Sequence, residues 1–331
     1  MSIFTDTIGN LRGHSLAMYS TWLYHKPTRV LFDAGEGVAT SMRNLIFGVE
    51  QVFLSHGHYD HIGGLAGLIF SRASCPNPEF RGGNENRQTL TVHYPKGCRE
   101  VNALRRYVEG TISHIGDKLV WKELEPGDTV TVGNHRTVEA FKVDHSSGLC
   151  LGYKLVEKRV SLKVDQDVIK RLTSGGVILG MVEKWVKDND YQGALDAMDK
   201  ADRNRFLKRK GKELVVAEKK ALGYEETHVR IMLAYCGDSA PVRAASVAGA
   251  ELLLHEATFL DAEVRRGKAH STVAEALDAA DYAGVKSLVL IHVSGRYMRD
   301  EILNQVQKAA RDVGWNKPLA VMVGNRIVEI Q

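Results

Sequence analysis

The sequence predicts an α/β fold interrupted by a helical insertion, and three features carry that expectation. Short apolar runs bounded by turn residues alternate with helix-spaced segments before residue 158 and resume after 220. The stretch between them places apolar residues at helical spacing among many charges and contains no proline. Histidines and aspartates recur where apolar runs end. At 331 residues the chain exceeds one minimal domain, so a single core, 1–157 with 221–331, carrying 158–220 as an insertion is the expected organisation.

Taken in order, residues 30–32 and 51–55 read as buried strands, each ending where polar residues and glycine begin. Residues 89–94, 129–132 and 138–143 alternate or are β-branched and predict further strands. Helical spacing at 38–47 and 101–109 puts helices between strands, which implies sheets covered on their outer faces. Inside the insertion Ile178, Val182, Trp185, Val186, Leu195 and Met198 share a helical period, and a loop of that length within a domain would be unusual. Strands resume at 229–235, 251–255 and 287–292. Residues 272–283 predict a helix capped by Ser271 or Thr272, with Glu275 placed for a capping box.

The apolar fraction of 44% and charged fraction of 25% are those of an ordinary globular protein. No run reaches the roughly 18 to 20 apolar residues of a membrane span, and the N-terminus lacks a signal-peptide layout, so a cytoplasmic protein with no membrane role is expected. Cys75, Cys98, Cys150 and Cys236 include no Cys-x-x-Cys pair, which argues against a disulfide framework or a zinc ribbon and predicts buried thiols. The net charge of +4 is unevenly spread: 158–220 holds 16 Lys or Arg against 10 Asp or Glu, a balance of +6, and the rest of the chain sums to −2. Such a segment either neutralises phosphates or is a solvated helix face.

The chemistry is concentrated in His56-Gly57-His58-Tyr59-Asp60-His61, directly after an apolar strand and before a helix. Two histidines one residue apart point to the same side of an extended chain, and Asp60 and His61 in the following turn can face a second ion. Imidazole and carboxylate suit Zn²⁺, with Mn²⁺ or Fe²⁺ possible where carboxylates are more numerous. His145, Asp238 and His292 follow later apolar runs and complete seven ligands for two metals. Taken singly, His145 and His292 could equally be structural, and Asp238 in Gly237-Asp238-Ser239 could cap a turn. His14, His25, His93, His114, His135 and His228 read as surface residues.

These motifs resemble the tRNase Z (ribonuclease Z) family of the metallo-β-lactamase superfamily. The matching blocks are Leu31-Phe32-Asp33-Ala34-Gly35-Glu36-Gly37, the stretch from Ser55 to Arg72, Asp144-His145 with Gly152-Tyr153 and Glu157, and Tyr235-Cys236-Gly237-Asp238. His255-Glu256-Ala257-Thr258-Phe259, His270-Ser271-Thr272 and His292-Val293-Ser294-Gly295-Arg296-Tyr297 complete the series, and together the blocks cover about half the chain. The resemblance implies a four-layer αββα sandwich with the metals at one edge. It implies that His56, His58 and His145 hold one divalent ion, that Asp60, His61 and His292 hold the other, and that Asp238 bridges them.

By the same resemblance Asp60 is also catalytic, His270 paired with Glu256 acts on the leaving oxygen, and Ser294 and Arg296 meet the substrate phosphate. Precursor tRNA or another RNA is the implied partner, and a homodimer the implied assembly. The sequence departs from the family in residues 3–13, at Val38 and Ala66, and in lacking a Gly-Pro-tipped arm. The insertion is accordingly expected to serve as a replacement arm for gripping substrate. The competing readings are a small-molecule or cyclic-nucleotide phosphodiesterase and a non-catalytic metal-binding scaffold.

Overall fold

Runs such as Val30-Leu31-Phe32 lack polar alternation because both faces of their strands are covered, and the computed structural model shows by what. It describes residues 3–74, 89–112, 118–145, 148–263, 265 and 267–330, and falls into two units, 1–157 with 230–331, and 158–229.

In the larger unit β1 (Leu11–Leu16), β2 (Ser20–His25), β3 (Val30–Phe32), β4 (Gln51–Phe53), β5 (Leu90–Pro95) and β6 (Leu119–Leu124) form one sheet in that order, parallel from β3 to β6. The second sheet comprises β7 (Thr129–Thr131), β8 (Arg136–Val143), β9 (Cys150–Lys163), β10 (Tyr224–Tyr235), β11 (Leu253–Glu256), β12 (Leu288–Ile291), β13 (Leu319–Val323) and β14 (Arg326–Ile330). It is parallel from β10 to β13.

The two-residue period of a strand sorts each apolar run onto two faces. Phe32, Phe53, Tyr153, Tyr235, Leu254, Val289 and Ile291 meet in the core between the sheets. Leu31, Val52, Leu54 and Val92 point outward against α2 (Val38–Met42), α4 (Leu65–Ser74) and α5 (Arg99–Thr111), with the short α3 (Tyr59–Ile62) flanking, whereas Phe4 of the short α1 (Ile3–Gly9) joins the core between the sheets. On the far side Leu253, Leu288, Leu290 and Val321 pack under α11 (Val273–Tyr282) and α12 (Arg299–Asp312), beside α10 (Ala244–Val247). This is the αββα sandwich expected. Each fully buried apolar side chain contributes about 1.5 to 3 kcal/mol.

The smaller unit holds α6 (Gln166–Leu172), α7 (Gly175–Asp188), α8 (Gln192–Asp196) and α9 (Lys200–Leu222). Asp165 caps α6 by accepting from the Asp167 N–H, and Asp199 caps α9 by accepting from those of Ala201 and Asp202. Val182, Val186 and Leu195 form its core, with Trp185, Tyr191, Met198, Phe206 and Leu207 against them. Gly211 lets α9 approach α7: a Cβ there would lie 2.8 Å from Ile178 Cγ2. The helical expectation began too early, because 158–163 continue β9, where Val160 and Leu162 alternate with charged or polar neighbours.

Other differences have local causes. The helix expected over 38–47 stops at Met42 and continues as a 3₁₀ segment from Arg43, whose φ is 50°. Thr272 rather than Ser271 caps α11, exchanging hydrogen bonds with Glu275 in a capping box, while the Ser271 hydroxyl donates to the Ser239 carbonyl. Cys150 and Cys236 are buried and Cys98 is half-buried; Cys75 and His114 lie outside the described residues. No described helix is long and apolar enough to cross a membrane.

His25 and His93 are not surface residues. His25 is buried against Thr28, 2.7 Å from its hydroxyl, and His93 stacks on Phe53 and meets the Gln51 side chain at 2.9 Å. Burial, aided by Arg136 beside His25 and Lys122 beside His93, lowers each imidazole to about 4. From the ordinary value of 6.5 down to about 4 the unfolded chain takes up protons that the folded one does not, so stability falls with pH across that window. In urea titrations of metal-free protein, the stability gap between wild type and His93→Gln should shrink by about 2 kcal/mol from about pH 7.5 to about pH 4.5. A pH-independent gap would mean that His93 titrates normally.

Candidate metal centre

The chain reaches this site by ending strands. Parallel strands deliver their carboxyl ends to one edge of a sandwich, where loops carry functional groups. β3 leads into Asp33, β4 into Ser55–His61, β8 into His145 and β10 into Asp238, while β11 ends at Glu256 and β12 leads into His292. The turns close tightly: a Cβ on Gly35 would lie 2.2 Å from the Asp60 carbonyl oxygen, so the β3–α2 loop and α3 can touch only through glycine.

Beside a third group of Glu256, His270 and His292, two groups of ligand-type atoms share a residue. His56, His58, His145 and Asp238 form one, and Asp60, His61, Asp238 and His292 the other, each with one ligand-type atom per residue and all of these within 4.8 Å of one another. Asp238 belongs to both. Its Oδ1 lies 3.1 Å from Nε2 of His61 and of His292, and its Oδ2 lies 3.9 Å from Nε2 of His56 and of His145. All seven sequence-predicted residues therefore converge.

What lies behind the rings decides which nitrogen faces inward. Nδ1 of His56 meets the Ser55 hydroxyl at 2.9 Å, that of His61 the Asp33 carboxylate at 2.7 Å, that of His145 the Ala269 carbonyl at 3.1 Å, and that of His292 the Thr258 hydroxyl at 3.0 Å. Each Nε2 is left for the cavity, the arrangement that orients metal-binding imidazoles. Asp33 also accepts from the Ser55 N–H and hydroxyl and from Tyr235 OH. His292 stands at φ 56°, held by its N–H donating to the buried Ser15 hydroxyl at 2.8 Å. Asp33, Ser55, Thr258 and Ser15 are the participants sequence reasoning missed; Asp33, Ser55 and Thr258 fall within the matching motif blocks, but nothing in the sequence marks their roles.

The donor set fits cations. His56 Nε2 and Asp238 Oδ1 are buried without a hydrogen-bond partner, and Nε2 of His61 and of His292 face each other at 3.4 Å. Burial opposes ionisation of Asp238, yet His292 and His61 outweigh it and hold its carboxyl well below the usual range; Asp60 is lowered against burial by its hydrogen bond to His292 and by His61. For His61, burial is outweighed by Asp238 and Asp33, which raise its proton affinity well above the ordinary imidazole. A buried cavity that keeps carboxylates ionised and draws positive charge is suited to divalent metal.

Beside it, His270 Nδ1 lies 2.8 Å from Oε1 of the fully buried Glu256, which also accepts from the N–H groups of Ser239 and Thr258. Burial disfavours the charged ring, but Glu256 outweighs it and raises the His270 pKa. The His270 ring lies 4.8 Å from that of His145 and stacks at 5.9 Å on that of His292. Arg296 is exposed, with Nε donating to the Ser294 hydroxyl at 3.0 Å.

Residues 28–169 match the family model described as the beta-lactamase superfamily domain. A ribonuclease Z from Halobacterium salinarum is 33% identical over 278 residues, covering 82% of this chain and 79% of the relative. The chain belongs to the ribonuclease Z family. A family member from Bacillus cereus is 31% identical over 88% of this chain and 86% of its own. Human tRNase Z, short form, shares the fold with a TM-score of 0.56 and 18% identity, covering 97% of this chain and 99% of that one. A metallo-β-lactamase fold protein from Bacillus subtilis has a TM-score of 0.56 at 14% identity over 96% of this chain and 98% of its own. Membership makes this protein a metal-dependent hydrolase, and the convergent His and Asp groups supply donors of the kind that divalent metal binding requires.

Proposed function

We propose that the protein is an endoribonuclease that removes the 3′ trailer of precursor tRNA, with His56, His58, His145 and Asp238 holding one ion and Asp60, His61, His292 and Asp238 the other. The observation that carries the reading is the shared Asp238, whose two oxygens face two separate histidine groups. The majority of imidazole donors favours zinc in both positions. When bound, the ions would supply Lewis acidity toward a phosphoryl oxygen and lower the pKa of a water. Asp60 orients the attacking water, and His270, fixed through Nδ1 by Glu256, donates a proton to the departing 3′-oxygen. The products are a 3′-hydroxyl and a 5′-phosphate. The same reading includes a cytoplasmic location, and a homodimer for which the support is family resemblance. Cleavage of 5′-labelled precursor tRNA just after the discriminator base, by wild type and not by Asp60→Ala, tests it. Retained hydrolysis of a small diester without precursor cleavage would move the function to small-molecule substrates.

The helical unit is proposed as the substrate-gripping arm. On α9, Arg205, Lys208, Arg209 and Lys212 recur at i, i+3, i+4 and i+7 and are all exposed. A stripe of that kind follows a phosphate backbone at little desolvation cost. Replacing all four with glutamine should flatten the salt dependence of precursor binding by about one unit of log–log slope for each phosphate no longer neutralised. The fall in kcat/KM should be far larger on precursor tRNA than on a small diester; equal falls would make the stripe structural.

A further inference from the structure

The tip between β1 and β2 reaches the metal centre through its backbone yet turns its side chains outward. Met18 occupies φ 70°, a region that non-glycine residues rarely adopt, and its N–H donates to Asp60 Oδ2 at 2.9 Å. The conformation is thus held by a residue of the metal cavity. It leaves Met18 81% and Tyr19 63% exposed. Large apolar side chains left at the mouth of a polar site contribute nothing to the core, which makes an occupant for them worth seeking.

The surroundings say what that occupant is. The tip is anchored to the loop after β12 by the Ala17 N–H, which donates to the Val293 carbonyl at 3.2 Å. The Tyr19 ring lies over Gly295, where a Cβ would stand 3.4 Å from its Cε2. Next along is Arg296, whose guanidinium sits 5.5 Å from the Phe259 ring, and that ring is 6.3 Å from His270. Tyr19, Gly295, Arg296 and Phe259 therefore line a strip that runs beside the centre from Asp60 to His270. A flat phenol, a polarisable thioether and a guanidinium together suit an unpaired nucleobase, since every base has a π-face and its phosphate is met by the arginine. An apolar protein segment would leave Arg296 uncompensated.

We propose that Tyr19, with Met18 and Arg296, is a stacking platform for the nucleobase next to the scissile phosphate. This rests on the assignment of RNA as substrate. It makes Tyr19 a specificity-determining residue that favours single-stranded RNA with a base at that position, of whatever identity, over a diester without one.

The test compares wild type, Tyr19→Ala and Tyr19→Phe on three precursor tRNAs: unmodified, abasic just 5′ of the cut and abasic just 3′ of it. Wild type should lose about 5- to 100-fold in kcat/KM on one of the abasic substrates. Tyr19→Ala should lose a similar factor on the unmodified substrate, mainly through KM, and almost nothing more on that abasic one. Tyr19→Phe, which keeps the ring, should restore the wild-type pattern. If the alanine variant and the abasic change lose activity additively, or if neither matters, the platform is overturned. Failure of wild type to cut the unmodified precursor while still hydrolysing methyl 4-nitrophenyl phosphate would instead overturn the RNA reading beneath it.

Discussion

Asp238→Ala is expected to deprive the protein of both ions at once. The carboxylate is buried, and each of its oxygens faces a different pair of imidazoles, at 3.1 Å on one side and 3.9 Å on the other. Without it one group keeps three histidines and no anion, so two cations would sit close together with only Asp60 among the ligands to neutralise them. Even loss of a residue behind a metal ligand commonly costs about 10- to 100-fold in affinity, and loss of a shared ligand costs more. Elemental analysis after dialysis should find close to two metals per wild-type chain and close to none in Asp238→Ala, with turnover of any phosphodiester down by at least about four orders of magnitude. Asp60 belongs to one group only, so Asp60→Ala should keep about one ion while losing turnover. Two metals retained by Asp238→Ala would contradict the bridging role.

The contrast between those variants also marks where sequence reasoning had purchase. His56, His58, Asp60 and His61 were legible because four ligand types fall within six residues after an apolar strand, a spacing that core packing does not produce. His145, Asp238 and His292 were ambiguous singly, since a histidine after a strand is as easily structural, and only the folded chain brings them to the same cavity. The residues that orient them were silent. Asp33 reaches His61 across 28 positions and Ser15 reaches His292 across 277, and a lone aspartate or serine carries no sign of such a partner.

The fold was legible where strands are buried on both faces, as at 51–53 and 288–291, because uninterrupted apolar runs leave few alternatives. It was less so at β1, whose Leu-Arg-Gly-His-Ser-Leu pattern is weakly apolar, and at 158–163, where an exposed strand looks like a charged helix. His25 and His93 look like surface residues for a related reason: a buried histidine is satisfied by one neighbour, Thr28 or Gln51, that composition does not reveal.

His270→Ala should behave differently from any variant of the seven proposed ligands, because the ring turns its Nδ1 to Glu256. Metal content should hold while kcat on precursor tRNA falls by about 10²- to 10⁴-fold, the usual worth of a positioned general acid. The decisive comparison is between leaving groups. An RNA 3′-oxygen departs as a strongly basic alkoxide and needs a proton, whereas 4-nitrophenolate is stable at neutral pH and needs none. The variant should therefore lose far more activity on RNA than on a 4-nitrophenyl diester. Glu256→Gln should show the same bias in milder form, since the amide can still meet the ring but no longer stabilises its charge. Equal losses on both substrates would place His270 on the attacking side or on a non-bridging phosphate oxygen, because only protonation of the leaving group depends on what leaves.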